Sequence, residues 1–103
     1  EQRISSMCNN ANLIVTARLD GKLVGVARSI TDFVYCTYLS DLAVDLEYQK
    51  KGIGKKLIEE TKKITPQAKL ILLSAPDAVD YYPKIGMTKH NHCYFIDDLK
   101  DLK

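Results

Sequence analysis

The sequence predicts an α+β fold: a mixed, mostly antiparallel sheet made of a β-meander and a central βαβ unit, with helices packed on it. Three observations carry this expectation. Two β-rich runs, 13–19 and 23–30, are joined by Asp20-Gly21-Lys22. After Ile53 the apolar spacing changes from a period of two to a helical one. A short apolar run at 70–73 follows, so that strand, helix and strand succeed one another as in a βαβ unit.

Each element has its own local reason. Residues 1–10 read as the end of a helix or an irregular lead-in. In 13–19, Leu13, Val15, Ala17 and Leu19 alternate onto one face. Asp-Gly between the first two runs signals a hairpin, because Gly takes positive φ at little cost. Residues 33–44 are rich in aromatic and β-branched side chains and read as a third strand, completing an antiparallel meander. From Ile53, the positions Leu57, Ile58, Thr61 and Ile64 form one stripe of a helix, and Lys55, Lys56, Glu59, Glu60, Lys62 and Lys63 cover its other face. Glu59 and Lys63 stand at i,i+4 in the favourable order. Thr65 precedes Pro66 and so avoids the α region, which ends the helix. Residues 70–73 are apolar on both faces and read as a buried strand parallel to the one before the helix. Asp77 reads as the N-cap of a second helix over 78–85, with Gly86 as its stop. Residues 88–96 supply one or two closing strands.

Composition narrows the class. With 103 residues, 46% hydrophobic and 27% charged, the chain suits a single soluble domain over residues 1–103. No apolar run approaches the ~20 residues of a membrane span, and no apolar h-region follows the first residues, so no membrane partner or signal peptide is expected. The chain begins with Glu1 rather than Met, which leaves room for an upstream segment. A net charge of +2 does not imply a nucleic-acid partner. Cys8, Cys36 and Cys93 are odd in number and widely spaced, without C-x-x-C, so reduced thiols in a cytoplasmic protein are expected rather than disulfides or zinc. His90 and His92 share a strand face beside Cys93, but no third or fourth metal ligand is evident, and no metal is expected.

The most informative segment is 42–56, in which a strand runs into a loop that opens a helix through Gly52 and Gly54. A helix start exposes unpaired N–H groups and a positive dipole end, and glycines let backbone approach an anion closely. Lys50, Lys51, Lys55 and Lys56 crowd this end. A helix alone prefers acidic residues there, by roughly 0.3–1 kcal/mol each. Such a cluster makes sense with an anion among the lysines; the alternative is a solvated lysine-rich surface. Two other phosphate motifs fail: Lys56 stands where a P-loop needs Ser or Thr, and Leu57 stands at the third glycine of a dinucleotide fingerprint.

Gln49-Lys50-Lys51-Gly52-Ile53-Gly54 resembles the Q/R-x-x-G-x-G/A motif of the GNAT superfamily of N-acetyltransferases. The lead-in Leu42-Ala43-Val44 resembles theirs too. Downstream, Ala78-Val79-Asp80-Tyr81-Tyr82-Pro83-Lys84-Ile85-Gly86-Met87 is similar to the family pattern A-x-x-F-Y-x-K-x-G-F. The likeness covers roughly residues 13–97, and both motifs fall in order on the right elements. The resemblance implies a GNAT-like fold and transfer of an acetyl group from the cosubstrate acetyl-CoA to a primary amine. The alternative is a catalytically weak GNAT module that holds an acyl-CoA as sensor or partner.

The resemblance also implies roles. Backbone N–H groups of Gln49, Lys50, Lys51, Gly52, Ile53, Gly54 and Lys55 would hold the coenzyme A pyrophosphate. The strand carrying Leu42, Ala43 and Val44 would splay from its neighbour and offer backbone groups to the pantetheine arm. Tyr82 would protonate the leaving thiolate, or else pack as an aromatic beside Tyr81; Pro83 kinks or shortens its helix. Strict alternation puts Tyr38, Ser40 and Leu42 on the acceptor face and Asp41 with Leu39 and Ala43 on the other. A base would then act through Ser40 or Tyr38 and water, leaving Asp41 as a structural hydrogen-bond partner. Only about twelve residues precede Leu13, so the family's N-terminal strand and helices would be lacking. The asparagine often found before the tyrosine helix is absent, and Met87 replaces the usual aromatic. Exposed strand edges would suit a homodimer.

Overall fold

The computed structural model describes residues 2–103, except for the side chains of Ile4 and Cys8. The chain gathers into two compact units, one ending at Leu73 and the other covering Ser74–Lys103.

The first unit opens with helix α1 (Gln2–Asn10), followed by β1 (Leu13–Leu19), β2 (Lys22–Thr31) and β3 (Cys36–Val44). Helix α2 (Ile53–Ile64) and strand β4 (Lys69–Ile71) complete it. The sheet order is β1-β2-β3-β4, antiparallel except for the parallel β3–β4 pair. This is the mixed sheet that the sequence predicts. The β1–β2 turn needs only Asp20 and Gly21, at φ 52° and 80°, since Leu19 already pairs with Lys22. Two positive φ values in a two-residue loop are what a type I′ hairpin requires. Asn12 extends the β1 edge with its side chain: Nδ2 donates to the Thr31 carbonyl at 2.7 Å and Oδ1 accepts from the Thr31 N–H at 2.9 Å.

Helix α2 lies on one face of the sheet, where Ala27, Leu39 and Leu57 form the buried centre with Ile53 and Ile58 packed around it. Burying a leucine such as Leu57 is worth roughly 1.5–3 kcal/mol. Gly25 permits the close approach. A Cβ there would stand 3.0 Å from Leu57 Cδ1 and 3.2 Å from Ile53 Cγ2. Two details of the helix differ from expectation. Ile64 is exposed, and Thr65, the C-cap, is buried in its place. Glu60 rather than Glu59 takes Lys63, at 3.2 Å, while Glu59 pairs with Lys56 at 3.0 Å.

Strand β3 begins three residues later than expected. The Asp32 carboxylate accepts from the N–H groups of Val34, Tyr35 and Cys36 at 3.0, 2.8 and 3.1 Å. That clamp holds Phe33 at φ 66°, and a local Asx turn overrides the β-propensity of Phe33, Val34 and Tyr35. Strand β4 is likewise shorter than expected, leaving Leu72 and Leu73 outside it.

The second unit contains a 3-10 turn (Pro76–Ala78), helix α3 (Tyr81–Lys84) and a final 3-10 turn (Leu99–Asp101). The expected helix over 78–85 is thus split, and Asp77 is not its N-cap: Asp77 sits within the 3-10 turn, with Ala75 before it. Pro76 supplies the fixed φ that starts that turn. Gly86, at φ 99°, stops α3 as expected. Its N–H donates to the Pro83 carbonyl at 3.1 Å and that of Met87 to the Tyr82 carbonyl at 3.0 Å, which is a Schellman pair. The closing strands expected over 88–96 do not form among the described residues. Tyr94, Phe95 and Ile96 have strand propensity but no ladder partner, and propensity without cross-strand packing does not make a strand. Here His90 Nδ1 accepts from the His92 N–H at 2.9 Å, and the two rings meet edge to face. Cys36 and Cys93 are free thiols; the Cys8 side chain lies outside the described residues. No helix among the described residues is long and apolar enough to cross a membrane.

Candidate active site

The site candidate of the first unit lies where β3 passes into α2. A 3-10 turn (Leu46–Tyr48) makes the connection, capped by Asp45, whose carboxylate accepts from the Glu47 N–H at 3.0 Å. The Asp45 N–H donates to the Val24 carbonyl at 2.8 Å, so the turn is anchored on β2. Gln49 Nε2 donates to the Val44 carbonyl at 3.0 Å and ties the loop back to the strand end. Two cations flank Tyr48, with Lys22 Nζ 5.3 Å and Lys51 Nζ 5.5 Å from its ring centroid. Such contacts hold lysine chains near a ring face.

The loop then turns twice through the left-handed region, at Lys50 (φ 66°) and Gly52 (φ 83°). Lysine adopts that region at a cost, and a strained residue at a loop apex is a reason to look for function there. Gly52 is the N-cap of α2, and no side chain caps the helix. The Lys56 N–H is the first in the ladder, donating to the Gly52 carbonyl at 3.0 Å. The N–H groups of Ile53, Gly54 and Lys55 precede it and belong to the turn that a helix leaves unmatched. The first turn carries no acidic residue. A Cβ on Gly52 would meet nothing within 4 Å, so the approach to these donors is open. Of the four lysines, Lys56 is held by Glu59 and Glu60, while Lys50, Lys51 and Lys55 form no ion pair among the described residues. A pyrophosphate fits this donor set: converging N–H groups, a helix dipole and uncommitted ammonium charge.

The β3 edge is open beside it. Pairing with β4 covers only Cys36, Thr37 and Tyr38; beyond Tyr38, the strand has β2 on one side and no strand on the other among the described residues. Leu42, Ala43 and Val44 therefore lie on a free edge.

One expectation about β3 is corrected. Its pairing with β2 shifts between Arg28 and Ser29: Arg28 opposes Asp41, while Ser29 opposes Leu39, and Ser40 is the extra residue of a bulge. A bulge reverses the alternation that follows it. Leu42 and Val44 therefore pack on the core with Leu39, and Leu42 does not share a face with Tyr38. Asp41 and Ser40, assigned to opposite faces by strict alternation, both engage Arg28. Arg28 Nε donates to Asp41 Oδ2 at 2.6 Å and Nη2 donates to Ser40 Oγ at 2.7 Å. Asp41 is thus the structural hydrogen-bond partner of the two readings. Arg28 was not singled out in the sequence, although a lone charge inside the apolar run 23–30 is the available signal.

Tyr82, on α3 in the second unit, is half-buried, with its ring edge-to-face on Tyr81 at 5.1 Å between centroids. Burial, with a smaller contribution from Tyr81, raises its hydroxyl above the usual tyrosine range. Tyr82 therefore stays protonated at neutral pH and keeps a proton to give.

Comparison with known proteins supplies the family and the fold. Residues 1–98 match the family model described as acetyltransferase (GNAT) domain, and the chain belongs to that family. It is 34% identical over 68 residues to the chloroplastic GCN5-related N-acetyltransferase 2 of Arabidopsis thaliana, covering 63% of this chain and 26% of that protein. It is 31% identical over 81 residues to the uncharacterized N-acetyltransferase ycf52 of Pyropia yezoensis, covering 76% of this chain and 47% of that one. The chain thus spans between a quarter and a half of the length of these two relatives. In fold it is similar to a GNAT-family acetyltransferase from Streptococcus pneumoniae, with a TM-score of 0.77, 21% identity, and coverage of 94% of this chain and 80% of that one.

Proposed function

We propose that this protein transfers an acetyl group from acetyl-CoA to a primary amine. The observation that carries the proposal is the start of α2: unmatched N–H groups and lysines with no acidic residue, set at the end of a strand whose outer edge is free. In this reading the N–H groups of Lys50 to Lys55 and the nearby ammonium groups hold the pyrophosphate; the Gln49 N–H, expected among them, donates instead to the Leu46 carbonyl at 3.4 Å. Backbone of Leu42 and Val44 aligns the pantetheine arm along β3, while the backbone groups of Ala43, between them, face Val26 of β2. Acetyl-CoA supplies the activated acetyl thioester. The acceptor nitrogen bonds to the acetyl carbon, the carbon–sulfur bond breaks, and the departing sulfur takes a proton, the role that the family resemblance gives to Tyr82. Tyr38 and Ser40 are the polar side chains of β3 through which water could take the amine's proton.

Arg28 favours a second reading. It engages both Ser40 and Asp41, so neither is a free base on β3. A module that binds acyl-CoA and transfers slowly or not at all fits that arrangement. One experiment separates the two. Thiol release from acetyl-CoA is followed with polyamines, aminoglycosides, amino acids and lysine-containing peptides, using wild type and Tyr82→Phe. Amine-dependent release that falls roughly 10²–10⁴-fold in the variant, with acetyl-CoA affinity kept, supports the enzyme. Tight acetyl-CoA binding with no release for any amine supports the module.

A further inference from the structure

Arg28 is buried to 8% exposure within a sheet, yet it faces Asp41, whose side chain is 47% exposed. Three residues on two elements, β3 and α1, converge on its guanidinium. Nε and Nη2 both reach Asp41 Oδ2, Nη2 also donates to Ser40 Oγ, and Nη1 donates to the Met7 carbonyl of α1 at 3.2 Å. A planar fork fixes the direction of each partner, which a lysine ammonium does not. The two β3 partners are the bulged residue, Ser40, and its neighbour, Asp41. The free edge begins at the next residue, Leu42. The bulge decides which backbone groups of 42–44 face β2 and which face outward, because one residue of slip exchanges them.

We propose that Arg28 is a positioning residue for the acyl-transfer edge: by clamping Ser40 and Asp41 it holds the bulge, and the bulge sets which backbone groups of Leu42, Ala43 and Val44 are offered along β3. The inference rests on the reading of that edge as the pantetheine track. It assigns Ser40 and Asp41 to the clamp and makes the strand's register, rather than a side chain, the object that Arg28 controls. The pyrophosphate loop is outside its reach, because Asp45, Val24 and Gln49 anchor that loop separately.

The test uses this division. Calorimetry compares acetyl-CoA with adenosine 3′-phosphate 5′-diphosphate, a fragment that can engage the loop but has no pantetheine arm. Arg28→Met preserves the stem and leaves Asp41 in solvent contact; Arg28→Lys keeps the charge without the fork. Both variants are expected to bind acetyl-CoA roughly ten- to a hundredfold more weakly, while fragment affinity stays within about twofold, well inside one 1.4 kcal/mol tenfold step. Amide resonances of Leu42, Ala43 and Val44 are expected to shift, and those of Ile53, Gly54 and Lys55 to stay. An unchanged ratio of the two affinities in both variants would overturn the proposal. Equal loss of both ligands would also overturn it, since Arg28 would then only support the fold. A wild-type chain that binds neither ligand would instead remove the underlying reading of the site.

Discussion

Strand β3 has one closed end and one open end. At its start, polar groups are matched with one another. The Thr31 and Thr37 hydroxyls lie 2.8 Å apart, and Thr37 donates to Thr65 at 2.9 Å, joining β2, β3 and the end of α2 inside the core. Lys62, in the last turn of the helix, ties down the segment that follows by donating to the Pro66 and Ala68 carbonyls. A cation at a helix C-terminus also suits the dipole. At the other end of β3 the polarity is left unmatched. The β4 ladder has stopped, the helix start has neither cap nor acid, and Lys50 sits in the left-handed region. The same strand and helix thus carry matched polar groups at one end and, at the other, the unmatched ones to which we assign binding. Satisfied polar groups hold the fold; unsatisfied ones are available to a ligand.

The largest effect should come from breaking the open end. In Gly52→Asp/Gly54→Asp, carboxylates replace the open approach to the N–H groups. Acetyl-CoA affinity is expected to fall at least about a hundredfold, or ~2.7 kcal/mol, in calorimetry. Acidic residues suit a helix start, but Gly52 stands at φ 83° where a side chain is strained, so urea unfolding should show a loss of about 1–2 kcal/mol. A variant that binds as wild type would remove the loop from the site. The closed end should respond in reverse. Thr37→Val removes one bond from each of the Thr31 and Thr65 hydroxyls, which keep Cys36, Phe33 and Thr61 as partners; the two lost bonds are expected to cost about 1–3 kcal/mol in urea unfolding, with acetyl-CoA affinity unchanged.

Gly25→Ala sharpens the comparison by acting on what the two ends share. Its methyl would stand 3.0 Å from Leu57 Cδ1 and 3.2 Å from Ile53 Cγ2, so these side chains at the start of α2 must give way by a small shift. Stability should fall by about 1–3 kcal/mol, as for overpacked cores. Unlike Thr37→Val, this variant should also weaken acetyl-CoA binding, which calorimetry would detect. An effect on stability alone would uncouple the helix position from the loop.

The smallest expected effect concerns pH. Three N–H donors hold the Asp32 carboxyl below its ordinary pKa of 3.8. Because the folded pKa is the lower one, the stabilisation is complete above the ordinary value and is lost as pH falls through the folded one. Melting temperatures should therefore drop below about pH 4 more steeply in wild type than in Asp32→Ala. Equal slopes would show that the clamp does not discriminate between the charged and neutral carboxyl.

Much of this contrast was legible in the sequence, for identifiable reasons. The hairpin at Asp20-Gly21, helix α2 and the glycine loop depend on neighbours in the chain, and each appears in the structure. What was missed depends on partners distant in sequence. The bulge at Ser40 is a property of β2–β3 register, so alternation along β3 alone misplaced Leu42 and Asp41. Thr37 reads as a strand residue, Thr65 as a helix stop, and Thr31 falls outside the expected strands, because their hydroxyls meet only in the fold. Tyr94, Phe95 and Ile96 read as strand because propensity does not reveal whether a partner edge exists. Phe33 to Tyr35 failed for a local reason, the Asp32 clamp, which an Asp at the start of the segment could have signalled.

The central claim is that the open end of β3 receives acetyl-CoA and the closed end does not. Titration of the labelled chain with acetyl-CoA, followed by amide ¹H–¹⁵N spectra, tests it most directly. The account expects saturable shifts at Leu42, Ala43, Val44, Ile53, Gly54 and Lys55, with Thr37, Thr65 and Lys69 unmoved. Saturable shifts centred on the threonine end, or none at millimolar acetyl-CoA in a folded chain, would contradict it.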